Sequence, residues 1–129
     1  MNPEVLHIGM SERAGTRVLR LTGELDSYTS DRLAGVAGVW LTGAKKIIID
    51  LDGLEYIDST GLAALVGMWV KARDRMVISC SNPRIRRIME ITGLLNLFSF
   101  EEAETKLAGE VTASVVNPTQ YVLVRKTAA

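Results

Sequence analysis

The sequence predicts a single α/β domain: a mixed, mostly parallel β-sheet of about four to five strands with helices packed on it. Strand-like apolar runs alternate with helix-like segments, an order typical of parallel strands joined by crossover helices. Residues 46–51 read Lys-Ile-Ile-Ile-Asp-Leu, which is typical of a central strand buried on both faces. The 129 residues suffice for one compact core but not comfortably for two.

The first two strands are expected to pair as a hairpin. Residues 5–8 form a short apolar run, and residues 17–22 alternate between apolar and polar side chains. Residues 11–16 contain Gly15 and are predicted to form the turn between the two strands. Residues 45–51 then supply the central strand.

A first helix is predicted between the hairpin and the central strand. It begins in the cap-rich residues 26–30 and ends before Gly43, a residue typical of helix ends. Gly35 and Gly38 each weaken this helix by about 1 kcal/mol relative to alanine. Close packing of the helix on the sheet is the expected reason for both glycines.

Two further helices are predicted beyond the central strand. After a turn at Asp52-Gly53, a helix runs from Ser59 to about Ala72. A short buried strand at residues 76–80 follows. Asn82-Pro83 then opens the third helix, since asparagine caps and proline suits the first turn, and Gly93 ends it.

The remainder of the chain gives a weaker pattern. Residues 95–100 are expected to form a last short strand, and residues 101–108 a brief acidic helix. Residues 111–126, with a central proline, fit either an added edge strand or hairpin or a mobile tail. The predicted boundaries are therefore a domain at 4–108 and a C-terminal extension at 109–129.

Composition excludes several classes of function. Fifteen basic and fifteen acidic residues cancel and aromatic residues make up 5%, so neither a basic face nor a stacking platform for nucleic acid is expected. A single cysteine, Cys80, excludes a disulfide within the chain, and with a single histidine, His7, no zinc site is expected. The sequence contains neither a phosphate-binding loop nor a dinucleotide-binding motif, so no cofactor is expected. Without a signal peptide or an apolar span, the expectation is a cytoplasmic protein not inserted in a membrane.

The stretch Asp58-Ser59-Thr60-Gly61 places two hydroxyls at the start of a predicted helix, just after the end of a strand. Helix starts present unpaired N–H groups and the positive end of the helix dipole, so a phosphate attached there is stabilised. Asp, Ser and Thr are also ordinary capping residues, and a cap alone explains them. The helix itself is indicated by apolar residues on one face at Leu62, Leu65, Val66 and Trp69.

The surroundings of Ser59 do not predict an enzyme. A Ser-His-Asp triad would need His7, which lies in a distant segment beyond the second strand. Carboxylates follow one another near the hydroxyl and suggest a surface acidic patch; they are Asp50, Asp52, Glu55 and Asp58. A phosphate of about −1.5 to −2 charges on Ser59 would add to the local repulsion and repel a docked partner.

Three motifs in order make the chain resemble the STAS domain, and more narrowly the bacterial anti-sigma factor antagonists. The first is Gly23-Glu24-Leu25-Asp26 after the second strand. The second is residues 54–62, Leu-Glu-Tyr-Ile-Asp-Ser-Thr-Gly-Leu. The third is Asn82-Pro83 followed by Ile91-Thr92-Gly93-Leu94. The resemblance covers roughly residues 4–108.

The resemblance implies a partner switch. An unphosphorylated antagonist binds a serine-kinase anti-sigma factor and displaces the sigma factor; the kinase then phosphorylates the antagonist from ATP, and a phosphatase reverses this. Ser59 matches the acceptor hydroxyl, and Thr60 is the second, less favoured one. Gly61 matches the glycine that lets the helix start pack closely. The implied partner-binding residues are Glu24, Asp26, Asp58, Ser59, Thr60 and Gly61.

The chain departs from the family in two places, and two other functions stay open. Family members commonly have a Gly-Gly turn where this chain has residues 72–75, Ala-Arg-Asp-Arg, and residues 111–129 exceed the usual domain and are compatible with a homodimer. One alternative is a STAS accessory subunit of an ABC-type membrane lipid-transport complex. The other is a STAS scaffold or ligand-sensing signalling module.

Overall fold

The run of three isoleucines lies in an interior strand of the sheet, with a parallel neighbour on each side. The computed structural model describes residues 6–101, 111–117 and 120–125. Its strands are β1 (Leu6–Arg13), β2 (Thr16–Leu25), β3 (Lys46–Ile57), β4 (Met76–Ser79), β5 (Ser99–Phe100), β6 (Val111–Asn117) and β7 (Gln120–Arg125). Its helices are α1 (Ser30–Trp40), α2 (Ser59–Ala72), α3 (Pro83–Ile91) and α4 (Leu94–Leu97), with a 3₁₀ turn at Arg73–Arg75.

The sheet is mixed and has the strand order β5-β4-β3-β2-β1-β6-β7. The pairs β2–β3, β3–β4 and β4–β5 are parallel, whereas β1 is antiparallel to both β2 and β6. The α/β fold class is therefore confirmed, and β1 to β5 match the expected number of strands. The C-terminal segment adds β6 and β7, an antiparallel pair. The expected acidic helix at 101–108 lies almost wholly outside the described residues.

The main core lies between one face of the sheet and the helices. On β2 it takes Leu19, Leu21 and Leu25, which alternate along the strand as a half-buried face requires. The opposite face of the sheet has its own small buried cluster, formed by Val18, Ile48 and Val77. The central strand is thus apolar on both faces, in agreement with its sequence.

The hairpin turn is shorter than the sequence suggests. β1 continues to Arg13 and β2 starts at Thr16, so only Ala14 and Gly15 form the turn. Both have positive φ, 53° and 86°, which is the requirement of a two-residue type I′ turn. Gly15 lies in the turn as predicted, but residues 11–13 belong to β1 and Thr16 belongs to β2, so the predicted turn of residues 11–16 is too long.

The expected turn at Asp52-Gly53 is wrong, because β3 runs on to Ile57. Its pairing with β2 shifts register twice, once between Arg20 and Thr22 and once between Gly23 and Glu24. Each shift inserts one extra residue in β3, which defines a β-bulge. Gly53 lies at the first bulge, where an added Cβ would lie 2.8 Å from the Thr22 hydroxyl oxygen.

Two other expectations are corrected. Gly35 and Gly38 do not serve close packing, because an added Cβ would meet no heavy atom within 4 Å at either position. Residues 95–100 are not one strand: after Gly93, in the left-handed conformation at φ 81°, the chain makes the helical turn α4. Its leucines pack against the core, so burial rather than strand pairing decides their conformation.

Candidate functional site

The start of α2 is fixed by Asp58. This residue is the N-cap, with extended backbone, and its Oδ1 accepts a hydrogen bond of 2.9 Å from the Gly61 N–H. Its carbonyl accepts the first helical bond, 2.9 Å from the Leu62 nitrogen. The side chain therefore satisfies one of the donors that a helix start leaves unpaired. The predicted helix Ser59–Ala72 is confirmed at both ends.

Ser59 and Thr60 occupy the first two positions of α2, and both are exposed. Neither side-chain hydroxyl hydrogen-bonds to another of the described residues. The cap is Asp58, so the interpretation of Ser59 as a capping residue does not account for its hydroxyl. An exposed hydroxyl beside unpaired helix N–H groups is accessible to a reagent in solution and suited to carry a phosphate.

Gly61 lets the helix start approach the end of β2. An added Cβ would collide with the Leu25 carbonyl oxygen and would lie 2.8 Å from Ile57 Cγ1. The Leu25 carbonyl also accepts a hydrogen bond of 3.3 Å from the Asp58 N–H. The ends of two neighbouring parallel strands are thus held together at a place where only glycine fits.

The loop between β2 and α1 is ordered by Asp26. Its Oδ1 accepts hydrogen bonds from the N–H groups of Tyr28 at 2.9 Å and Thr29 at 3.0 Å. The Thr29 hydroxyl donates in turn to the Glu24 carbonyl at 2.9 Å. Asp26 is therefore a loop-building residue of the Asx type.

The structure brings the predicted site residues to one edge of the sheet. Leu25 pairs with Ile57, so Glu24 near the end of β2 and Asp26 in the following loop lie beside the start of α2. Crossover connections put the carboxyl ends of parallel strands at a common edge, where α/β proteins commonly place their sites.

The expected acidic patch divides into two parts. Asp50 is buried and forms an ion pair of 3.0 Å with Arg20. Asp52 accepts hydrogen bonds from the Ser81 N–H at 2.7 Å and the Ser81 hydroxyl at 3.0 Å. Only Glu55, near the end of β3, and Asp58, the cap of α2, remain close to Ser59 in the chain. His7 lies on β1, which β2 separates from β3, so the structure does not build a triad.

A separate crevice of about 560 Å³ lies where β4 and β5 end. It is lined by Asp52, Ser79, Cys80, Ser81, Arg86, Phe100 and Glu101. Burial raises the pKa of the Cys80 thiol, so the thiol stays protonated near neutral pH and is a poor nucleophile. This agrees with a structural role for Cys80.

The Asn82-Pro83 motif supports β3 from the side. The Asn82 side chain accepts a hydrogen bond of 3.0 Å from the Arg84 N–H and so caps α3. Its amide also donates to the Leu54 carbonyl at 3.0 Å. The asparagine therefore joins the third helix to the strand segment that carries Glu55 and leads to Ser59.

Sequence reasoning missed three residues of this edge. Thr29 is fully buried and ties the loop to β2, a role that the spacing Asp26-x-x-Thr29 signals. Tyr28 and Tyr56 are exposed beside the predicted site. No local pattern distinguishes an exposed tyrosine from a buried one, because its exposure depends on the bulge or loop that carries it.

Comparison with known proteins gives a consistent family. The STAS domain family matches residues 7–107. An anti-sigma F factor antagonist of Paenibacillus polymyxa is 27% identical over 82% of this chain and 95% of its own length. An anti-sigma-B factor antagonist of Listeria monocytogenes is 31% identical over 69% of this chain and 82% of its own.

Solved structures show the same fold. An anti-sigma factor antagonist from Mycobacterium paratuberculosis superposes with a TM-score of 0.70 at 22% identity, over 80% of this chain and 92% of that one. The Bacillus cell fate determinant SpoIIAA in its phosphorylated form gives a TM-score of 0.59 at 20% identity, over 75% and 91% of the two chains. Among the described residues, no helix is long and apolar enough to cross a membrane, and no cluster of three metal-binding side chains occurs.

Proposed function

This chain belongs to the STAS domain family, and we propose that it is an anti-sigma factor antagonist switched by phosphorylation of Ser59. In this proposal the unphosphorylated chain binds a serine-kinase anti-sigma factor and so releases the sigma factor. The observation that carries the proposal is an exposed serine hydroxyl at the first position of α2, preceded by a cap that is not the serine itself. Relatives named as anti-sigma factor antagonists supply the class of partner.

The chemical step in this proposal is phosphoryl transfer to Ser59. The Ser59 oxygen attacks the γ-phosphorus of ATP held by the kinase, the new O–P bond forms as the bond to the β-phosphate oxygen breaks, and ADP leaves. The serine proton passes to a base of the kinase. The chain is the substrate and supplies one hydroxyl, while the nucleotide belongs to the partner.

The phosphate favours dissociation without refolding the antagonist. At the start of α2 it faces helix N–H groups, which stabilise its charge of about −1.5 to −2. In the complex, however, it lies against the nucleotide phosphates that donated it, and like charges at that distance repel. The expected result is a switch by charge and steric bulk, which a phosphatase resets.

Intact-mass measurement after incubation with ATP tests the proposal. The purified chain is mixed with each candidate anti-sigma kinase of the same organism, alongside the variants Ser59→Ala and Thr60→Ala. We expect a gain of one phosphoryl group in the wild type and in Thr60→Ala, and none in Ser59→Ala. A gain in Ser59→Ala but not in Thr60→Ala would move the acceptor to Thr60, and no gain with any kinase would reject the switch.

A further inference from the structure

Two exposed tyrosines lie at the same edge of the sheet as Ser59. The structure has five exposed large apolar side chains among the residues it describes: Tyr28, Val39, Tyr56, Val70 and Ile91. The three aliphatic ones lie near the carboxyl ends of α1, α2 and α3, and therefore at the opposite edge. Only the two aromatic ones share the edge of Ser59. Tyrosine is enriched at protein interfaces and among the residues that dominate binding.

We propose that Tyr28 and Tyr56 are the aromatic anchors with which the unphosphorylated chain holds its anti-sigma factor, and that the partner surface they meet is basic. The inference rests on the proposed function, whose partner it takes as given. It adds which residues hold that partner and what chemistry the partner presents.

A β-bulge puts Tyr56 on the surface. The second register shift between β2 and β3 leaves Glu55 as an extra residue, so that Tyr56 pairs with Glu24. Leu54 and Ile57 on either side are buried, whereas Glu55 and Tyr56 are both exposed. Two consecutive exposed residues break the alternation of a regular strand, and bulges of this kind are common beside functional sites because they redirect side chains.

The loop that carries Tyr28 is held in place before any partner arrives. The Tyr28 N–H donates to Asp26 Oδ1 at 2.9 Å, and the next residue, Thr29, is fully buried. Tyr28 itself stays 40% exposed. A side chain on a rigid backbone loses little conformational entropy on binding, which favours its use as an anchor.

Four carboxylates lie next to the two tyrosines in sequence or in strand register. Glu24 lies opposite Tyr56, Glu55 precedes it, and Asp26 and Asp58 follow on the two neighbouring loops. None of these four forms an ion pair with another residue of the described ranges; the ion pairs found there lie elsewhere, as in Arg17–Glu12 and Lys46–Glu101. Four carboxylates without an ion pair among the described residues are complementary to a basic surface on the partner, and such complementarity steers association.

Binding of aromatic variants, compared with matched aliphatic variants, tests the inference. The full chain is titrated with each candidate anti-sigma kinase of the same organism in the presence of ADP. Tyr28→Ala and Tyr56→Thr remove the rings, and threonine keeps a good strand former in β3. Val39→Ala and Val70→Ala remove apolar groups at the opposite edge that are even more exposed, at 76% and 51%. Thermal unfolding of every variant checks that the fold is kept.

We expect each tyrosine variant to bind about tenfold or more weakly than the wild type, with both valine variants unchanged. We also expect the affinity of the wild type to fall as salt is raised, and to fall less steeply in Glu55→Gln. Folded tyrosine variants that bind as the wild type does overturn the inference while the proposed function stands. An affinity that does not depend on salt concentration overturns the inference that the partner surface is basic. A wild type that neither binds nor is phosphorylated by any of these kinases rejects both proposals.

Discussion

The two ends of α2 are built in opposite ways. At its start Asp58 caps the helix with its own side chain, and Gly61 fits against the Leu25 carbonyl where a Cβ would collide. At its end Arg73 takes φ 54° and ψ −127°, a backbone conformation suited to glycine. Its guanidinium lies 4.7 Å from the centre of the Trp69 ring, so a cation–π contact partly offsets the strain.

The difference shows that backbone geometry is more tightly constrained at the start of α2 than at its end. The start of α2 positions the Ser59 hydroxyl between two strand ends, and each residue there satisfies the local geometry. The end of α2 only leads into β4, and it tolerates a non-glycine residue in a conformation that costs of order 1–3 kcal/mol.

Among the substitutions that test this difference between the two helix ends, Gly61→Ala is expected to have the largest effect on stability. The new Cβ collides with the Leu25 carbonyl oxygen and crowds Ile57, so the helix start must move away from β2. We expect the free energy of unfolding to fall by about 3 kcal/mol in urea denaturation, in spite of alanine's better helix propensity. Phosphorylation of Ser59 by the kinase is expected to fall with it.

Gly67→Ala is the matched control on the same helix. An added Cβ meets no heavy atom within 4 Å at this position, so only helix propensity changes. The free energy of unfolding is expected to rise by about 1 kcal/mol. Equal effects of the two substitutions would show that the contact with β2 does not constrain the helix start.

Asp58→Ala tests the cap by itself. The Gly61 N–H loses its 2.9 Å partner, and the expected loss is about 1 kcal/mol in the free energy of unfolding. Asp58→Asn keeps an oxygen acceptor at the cap and should lose only a small part of that. If both variants unfold at the same urea concentration as the wild type, the side-chain cap contributes nothing to stability.

The site could be predicted from sequence where local chemistry decides it. The side-chain caps of α2 and α3 join residues two or three positions apart, and the structure has both helix starts where the sequence predicts them. The extent of β3 depends instead on its pairing with β2, which the chain reaches only through α1. Asp52-Gly53 has the composition of a turn, and only the Thr22 hydroxyl beside Gly53 shows why it is a bulge.

The sequence also does not predict which residues of these elements are exposed to solvent. Gly35 and Gly38 have the composition of a helix packed closely on a sheet, yet both face open space. Tyr56 lies in a stretch with Leu54 and Ile57, which are buried, yet the bulge at Glu55 leaves Tyr56 exposed. In each case the deciding neighbour belongs to another element, or to the register between two elements. Periodicity within a single segment carries no information about either.

Arg73→Gly gives the smallest expected effect and tests the other end of the comparison. Glycine adopts the backbone conformation of this position without strain, while the cation–π contact with Trp69 is lost and the unfolded chain gains entropy. The relief of backbone strain is nearly offset by the lost cation–π contact and the added entropy of the unfolded chain. We expect the free energy of unfolding to rise by about 0.5 kcal/mol. Phosphorylation of Ser59 should not change, because the substitution lies at the far end of α2. A large loss of stability would instead mean that the Arg73–Trp69 contact holds this end of the helix.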